Sequence, residues 1–206
     1  TFFPAYPNEK EYFMKFPRLL IPSVLLLAGT LSACGGRTTA SPSPSAAPEN
    51  TAQAQGGVLS AFTAADLNDQ TVDQSILAGC DLTMVNVWGT FCPPCKEEMP
   101  ALAELHAEYA DRGFQIVGIV SDVLNQDGTL NPEQVEEART IAEGSGVTYT
   151  NLLPSESLYP ILGQIYALPS TFFVDSEGNQ VGQFYMGAKT KDQWAAVIEE
   201  TLEEMR

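Results

Sequence analysis

Residues 58–206 predict an α/β domain: a central mixed sheet flanked by helices, with extra short strands at its N-terminal end and an insertion near its middle. Continuous apolar runs at 82–87 and 114–120 have the length and the β-branched content of buried strands. Segments with apolar residues at helical spacing lie between and after them. A further apolar run, 170–175, is followed by the turn Ser176-Glu-Gly-Asn179 and a second extended stretch, which reads as a hairpin. Strand–helix–strand order requires parallel strands joined by crossovers, and a late hairpin adds antiparallel pairing, so the sheet is mixed.

Taken along the chain, residues 58–63 and 71–72 read as short strands around the polar turn Asp66-Leu-Asn-Asp-Gln70. Residues 82–87 form the central strand. A helix is expected over 97–111, because Met99, Leu102, Leu105 and Tyr109 recur at helical spacing with Glu97, Glu98, Glu104 and Glu108 elsewhere, and Arg112-Gly113 stops it. Residues 114–120 are the second buried strand. Asn131 as N-cap and Pro132 at the first helical position open a helix to about Ala142, which Gly144 and Gly146 end. Residues 148–153 read as a strand, 158–166 as a short helix, 170–175 as a strand and 180–186 as its hairpin partner. A last helix begins at Thr190 or Lys191, with Trp194, Val197, Ile198 and Leu202 as its apolar face. Phe184, Tyr185 and Trp194 read as core, and His106 as a solvated helical side chain.

Ahead of the domain, residues 1–33 are expected to be an upstream segment plus a signal peptide that is removed. Residues 1–13 precede a plausible initiator, Met14, and stand outside the fold. Met14-Lys15-Phe-Pro-Arg18 is a short basic start, and 19–31 is mostly apolar but too short for a comfortable membrane span. Leu31-Ser-Ala-Cys34, followed by Gly35-Gly36, resembles the lipobox of bacterial lipoproteins. That resemblance implies cleavage before Cys34, a diacylglycerol on its sulfur and anchorage at the extracytoplasmic face of the bacterial envelope, since several acyl chains hold far better than one. Residues 34–57 then form a flexible Ser/Pro/Ala/Gly tether, as Ser41-Pro-Ser-Pro44 and Ala54-Gln-Gly-Gly57 cannot build a core.

The formal net charge of −16 argues against a nucleic-acid partner and against adhesion to anionic lipid, both of which require a basic face. The acids are spread through helical segments (Glu133, Glu136, Glu137, Glu199, Glu200, Glu203, Glu204), as on a solvated surface. Few exposed apolar runs are visible, and a monomer is expected.

The chemistry lies in Trp88-Gly-Thr-Phe-Cys92-Pro-Pro-Cys95, between the central strand and the helix after it. Two thiols at this spacing close a disulfide with little movement, and a helix N-terminus beneath the first sulfur favours its thiolate. A disulfide-rich secreted scaffold would use more cysteines at structural spacings. The pair therefore points to thiol–disulfide exchange, with the Cys92–Cys95 disulfide as the redox group and no separate cofactor or metal. A zinc half-site shares the spacing, but the chain has one histidine, His106, and no second C-x-x-C. Cys80 is left over and reads as an inert, half-buried thiol.

The stretch from Trp88 to Pro100 (Trp-Gly-Thr-Phe-Cys-Pro-Pro-Cys-Lys-Glu-Glu-Met-Pro), with the later Leu168-Pro169-Ser-Thr-Phe-Phe-Val-Asp175-Ser-Glu-Gly178, resembles the extracytoplasmic thioredoxin-like proteins of the TlpA and ResA type over most of 58–206. The resemblance implies a thioredoxin-like fold. It implies an exposed nucleophile, Cys92, that forms a mixed disulfide with the partner, and a more buried thiol, Cys95, that resolves it. Pro169 is expected to be cis, aiming the Leu168 backbone at the partner chain. Pro93 and Pro94 fix the turn and withhold N–H donors from Cys92, Trp88 shields the dithiol as core and rim together, and Glu98 is a candidate acid/base for Cys95. Implied partners are exported proteins with disulfides and a membrane thiol donor of the CcdA or DsbD type. Implied roles are apocytochrome c maturation or support of a secreted methionine sulfoxide reductase or peroxidase. A disulfide-forming oxidase differs only in redox poise. A Sco-type copper protein would need C-x-x-x-C and a distant histidine. A peroxiredoxin would need Thr and Pro at other offsets before its cysteine than Thr90 offers.

Overall fold

The computed structural model describes residues 57–206. The expected signal segment, Cys34 and the tether to residue 56 lie outside the described residues. Among the described residues no helix is long and apolar enough to cross a membrane.

A five-stranded mixed sheet runs in the order β5-β4-β3-β6-β7. Its central strand β3 (Leu82–Trp88) pairs in parallel with β4 (Phe114–Val120), and β4 pairs in parallel with the two-residue β5 (Asn151–Leu152). On the other side β3 pairs antiparallel with β6 (Ser170–Asp175), which forms a hairpin with β7 (Gln180–Met186). Four α-helices complete the domain: α1 (Pro93–Tyr109), α2 (Pro132–Gly144), the short α3 (Tyr159–Leu162) and α4 (Lys191–Glu204). The mixed sheet with flanking helices is the architecture expected from the strand–helix order.

β3 is buried on both faces, and its alternation sorts the core. Val85 and Val87 face one side with Val117, Ile119, Phe172 and Val174, against Leu59, Phe62, Leu77 and Leu158. Leu82 and Met84 face the other, with Leu102, Leu105 and Tyr109 of α1 and Trp194, Ile198 and Leu202 of α4. Trp88, at the end of the same face, joins Val120, Met99 and the α2 residues Val135, Ala138 and Ala142.

Several boundaries differ from the sequence expectation. The first strand, β1 (Thr63–Ala65), starts later than residue 58 and pairs antiparallel with β2 (Thr71–Asp73) as a separate two-stranded sheet. Its chain covers the outer edge of β5: Leu67 N–H donates to the Asn151 carbonyl at 3.0 Å and Leu153 N–H to the Ala65 carbonyl at 2.8 Å. A 3-10 turn, Gln74–Gly79, follows β2 and carries too little periodicity to read from sequence. α1 opens at Pro93 rather than Glu97. The first N–H groups of a helix have no internal acceptor, so two prolines there lose nothing. Pro93 and Pro94 are thus the first helical turn, not a separate bend. A 3-10 turn, Ala110–Arg112, extends α1, and Gly113 at φ 73° closes it in the left-handed region.

His106 is half-buried rather than solvated. Its Nδ1 accepts the Ile116 amide of β4 at 3.1 Å, and its ring packs edge-on to Tyr149. β5 is too short to reach that amide, so the histidine supplies the missing acceptor. Phe184 is exposed and stacks on Phe172 instead of entering the core, because β7 is an edge strand with one side toward solvent.

Candidate active site

β3 delivers the chain to Trp88, and a three-residue link, Gly89-Thr90-Phe91, carries it to Cys92 at the head of α1. Hydrogen bonds from both sides hold this link. The Asp122 Oδ2 accepts from the Thr90 amide (2.8 Å) and hydroxyl (2.7 Å), the Lys96 ammonium donates to the Thr90 carbonyl (3.0 Å), and Cys92 N–H donates to the Gly89 carbonyl (3.1 Å).

Cys92 is the N-cap of α1, and its Sγ accepts the Cys95 amide at 3.3 Å. The two cysteines are joined in a disulfide, with their Cα atoms 5.3 Å apart. The proline pair has no N–H, so the Cys95 amide is the first helix donor available to the Cys92 sulfur. Cys92 is 4 % exposed and Cys95 fully buried. The exposed nucleophile expected from sequence is corrected here: Cys92 sits in the floor of a cleft, packed with Trp88 and Val120. That cleft, about 590 Å³, is walled by Phe91, Pro93, Pro94, Leu162, Tyr166 and Leu168, with Ser121 and Asp122 as its polar side.

Trp88 is wholly buried and contributes no rim, against expectation. Its indole N–H donates to the Asn151 Oδ1 at 2.8 Å, which draws the ring beneath the dithiol. Phe91, 68 % exposed, is the aromatic at the mouth. The Leu168–Pro169 peptide is cis; Leu168 lines the cleft and Pro169 is buried beside it.

Glu98 lies one turn beyond Cys95 and is 3 % exposed. Its Oε1 accepts from Asn86 Nδ2 (3.0 Å), and its Oε2 accepts from the Trp194 indole (3.1 Å) and the Lys189 amide (3.1 Å). Burial pushes its carboxyl above the usual range, while these hydrogen bonds and the nearby Lys189 charge pull the other way. Its hydrogen bonds run to those three groups, not to Cys95. The Tyr149 hydroxyl is buried without a partner, and burial together with the Glu98 charge keeps its proton on. Asn86, Asn151, Asp122 and Trp194 are the site-supporting residues that sequence reading missed. Asn86 left one trace: an amide in the middle of an otherwise apolar strand.

Cys80 is free and half-buried, and burial, with Asp81 second, raises its thiol. Among the described residues no group of three or more His, Cys, Asp or Glu side chains is placed to hold a metal ion.

A C-x-x-C disulfide closing the first turn of the helix after the central strand, on a sheet of this order, defines a class: the chain is a thiol–disulfide oxidoreductase with a thioredoxin-like domain. More narrowly, it belongs to the AhpC/TSA family, which matches residues 56–181. It is similar to the thiol-disulfide oxidoreductase ResA of Bacillus thuringiensis (strain Al Hakam), 28% identical over 140 residues, covering 64% of this chain and 69% of that one. It is 32% identical over 127 residues to the ResA of Oceanobacillus iheyensis, covering 60% of each. Among solved structures it resembles a thiol:disulfide interchange protein of Chlorobium tepidum TLS, with a TM-score of 0.57 at 22% identity, covering 73% of this chain and 99% of that one. It also resembles a secreted disulfide oxidoreductase of Mycobacterium tuberculosis, with a TM-score of 0.52 at 21% identity, covering 68% and 95%. These two likenesses speak to the fold.

Proposed function

We propose that this chain is a membrane-tethered, extracytoplasmic reductant of disulfides, or of other oxidised thiols, in exported proteins. The Cys92 thiolate attacks one sulfur of the partner's disulfide, and the other partner sulfur leaves as a thiolate. Cys95 then attacks Cys92 in the mixed disulfide, which releases the partner as a dithiol and closes Cys92–Cys95. A membrane thiol carrier of the CcdA or DsbD type returns two electrons to the pair. Apocytochrome c is one partner class implied by the resemblance of the Trp88–Pro100 and Leu168–Gly178 motifs to the TlpA and ResA type. Glu98 serves as proton acceptor or donor for Cys95. Lipidation of Cys34, read from Leu31-Ser-Ala-Cys34, supplies the tether.

The observation that carries the reducing direction is the meagre support for a Cys92 thiolate. Strong oxidants of this class owe their poise to a stabilised reduced form. Here Pro93 and Pro94 leave the Cys95 amide as the first helix donor, and the Asp122 carboxylate in the same cleft opposes a negative sulfur. Equilibration of the purified chain against thiol buffers tests this. A potential near that of thioredoxin, about −270 mV, supports the reductant. One near that of DsbA, about −120 mV, makes the protein a disulfide donor instead. Absence of a reversible two-electron couple would overturn exchange chemistry altogether.

A further inference from the structure

Asp122 follows the end of β4 and lines the cleft with Cys92. Its two carboxylate oxygens are treated unequally. Oδ2 accepts the Thr90 amide and hydroxyl and, at 3.4 Å, the Phe91 amide, and so secures the link that delivers Cys92. Oδ1 is shielded from solvent and has no hydrogen-bond partner. A loop anchor requires only the first oxygen, and an unpaired buried acceptor is costly to keep.

Two apolar side chains of the cleft lie near the carboxylate around Gly89. A Cβ built on Gly89 would lie 3.2 Å from Leu168 Cδ1, 3.2 Å from Phe91 Cε1 and 3.3 Å from Asp122 Cγ. Asp122, Leu168 and Phe91 thus border the same point over Gly89, in the cleft that Cys92 also lines. Phe91 is the most exposed of the three. Asp122 is also the single charged side chain among the described residues lining the cleft.

We infer that Asp122 is a partner-recognition residue: when a docking chain displaces the Phe91 ring, Oδ1 accepts an N–H from a lysine or arginine side chain flanking the partner's disulfide. The inference rests on the exchange reading of the cleft. A lone carboxylate in an apolar wall rewards a cation and penalises an acid, and desolvation by the docked chain strengthens both effects.

Single-turnover reduction of paired peptides tests it. Each peptide holds one intramolecular disulfide, and the two differ only in a Lys or a Gln beside a cysteine. The wild-type chain is expected to reduce the Lys peptide roughly tenfold faster. In Asp122→Asn the ratio of the two rates is expected to fall to near one. That ratio cancels any change in the intrinsic reactivity of Cys92, and the substitution barely alters the charge of the whole molecule. Thr90→Val removes a contact to Oδ2 but leaves Oδ1, and is expected to keep the preference. Equal rates on both peptides in the wild type overturn the proposal, as does a preference that survives Asp122→Asn, since the general acidic surface then explains it. Failure of the wild-type chain to reduce either peptide is a separate result, and it removes the exchange reading beneath the proposal.

Discussion

Glu98 is a carboxyl group in an apolar interior, surrounded by three donors. Replacing it with alanine leaves the Trp194 indole N–H and the Lys189 amide unpaired and strips the Asn86 amide of one of its two acceptors, at a cost of about 3 kcal/mol or more in unfolding free energy by urea titration. Its raised carboxyl has a consequence for pH. The folded chain holds this proton over a range in which the unfolded chain has lost it. The stabilisation is therefore complete below the ordinary carboxylate value and is lost as pH rises through the raised one. Glu98→Gln has no such proton, so the stability of wild type minus variant is expected to decline from acid toward neutral pH. A difference that stays flat contradicts the assignment. The acid was visible in the sequence three residues after Cys95. Its donors were not, because Lys189 and Trp194 are some ninety positions away and only the packing of α4 on α1 brings them in.

Trp88 and Asn151 show how elements, rather than residues, hold the dithiol. Asn151 is half of a two-residue strand, and its amide oxygen clamps the indole beneath Cys92 and Cys95. Gly118 of β4 leaves room for that clamp: a Cβ there would stand 1.9 Å from the Asn151 Oδ1 and 3.3 Å from the Trp88 Nε1. Gly118→Ala is expected to cost about 2–4 kcal/mol and to change the fluorescence of the buried indole. At the other helix, Thr190 and Gln193 form a capping box at the start of α4, directly after the Lys189 amide that holds Glu98. Thr190→Ala is expected to cost about 1 kcal/mol in thermal or urea unfolding. Strands 82–87, 114–120 and 170–175 were legible because continuous apolar runs have few other uses. β5 and α3 are shorter than their sequence runs suggested. Their neighbours' side chains and turns take over the backbone hydrogen bonds, and propensity does not encode that.

For the whole molecule, the large negative charge and the basic-apolar start ending at Cys34 suggest a soluble head on a membrane tether. Cys34→Ala is expected to move the protein from the membrane to the soluble fraction of cells, leaving the Cys92–Cys95 couple of the purified head unaltered. Retention of the variant in the membrane fraction would contradict lipid anchorage at that residue. The sequence by itself determined the mixed α/β architecture, the C-x-x-C junction and the class of chemistry, because apolar periodicity and the spacing of two thiols are local properties written in consecutive residues. Tertiary structure alone decided that Cys92 lies in a cleft floor, that Trp88 is drawn inward by Asn151, that Glu98 is ringed by donors and that Asp122 meets the cleft with one oxygen unpaired. Each of these joins residues from elements far apart in the chain. Which side chains meet there is settled by how the sheet, α1 and α4 pack, and no local pattern records it.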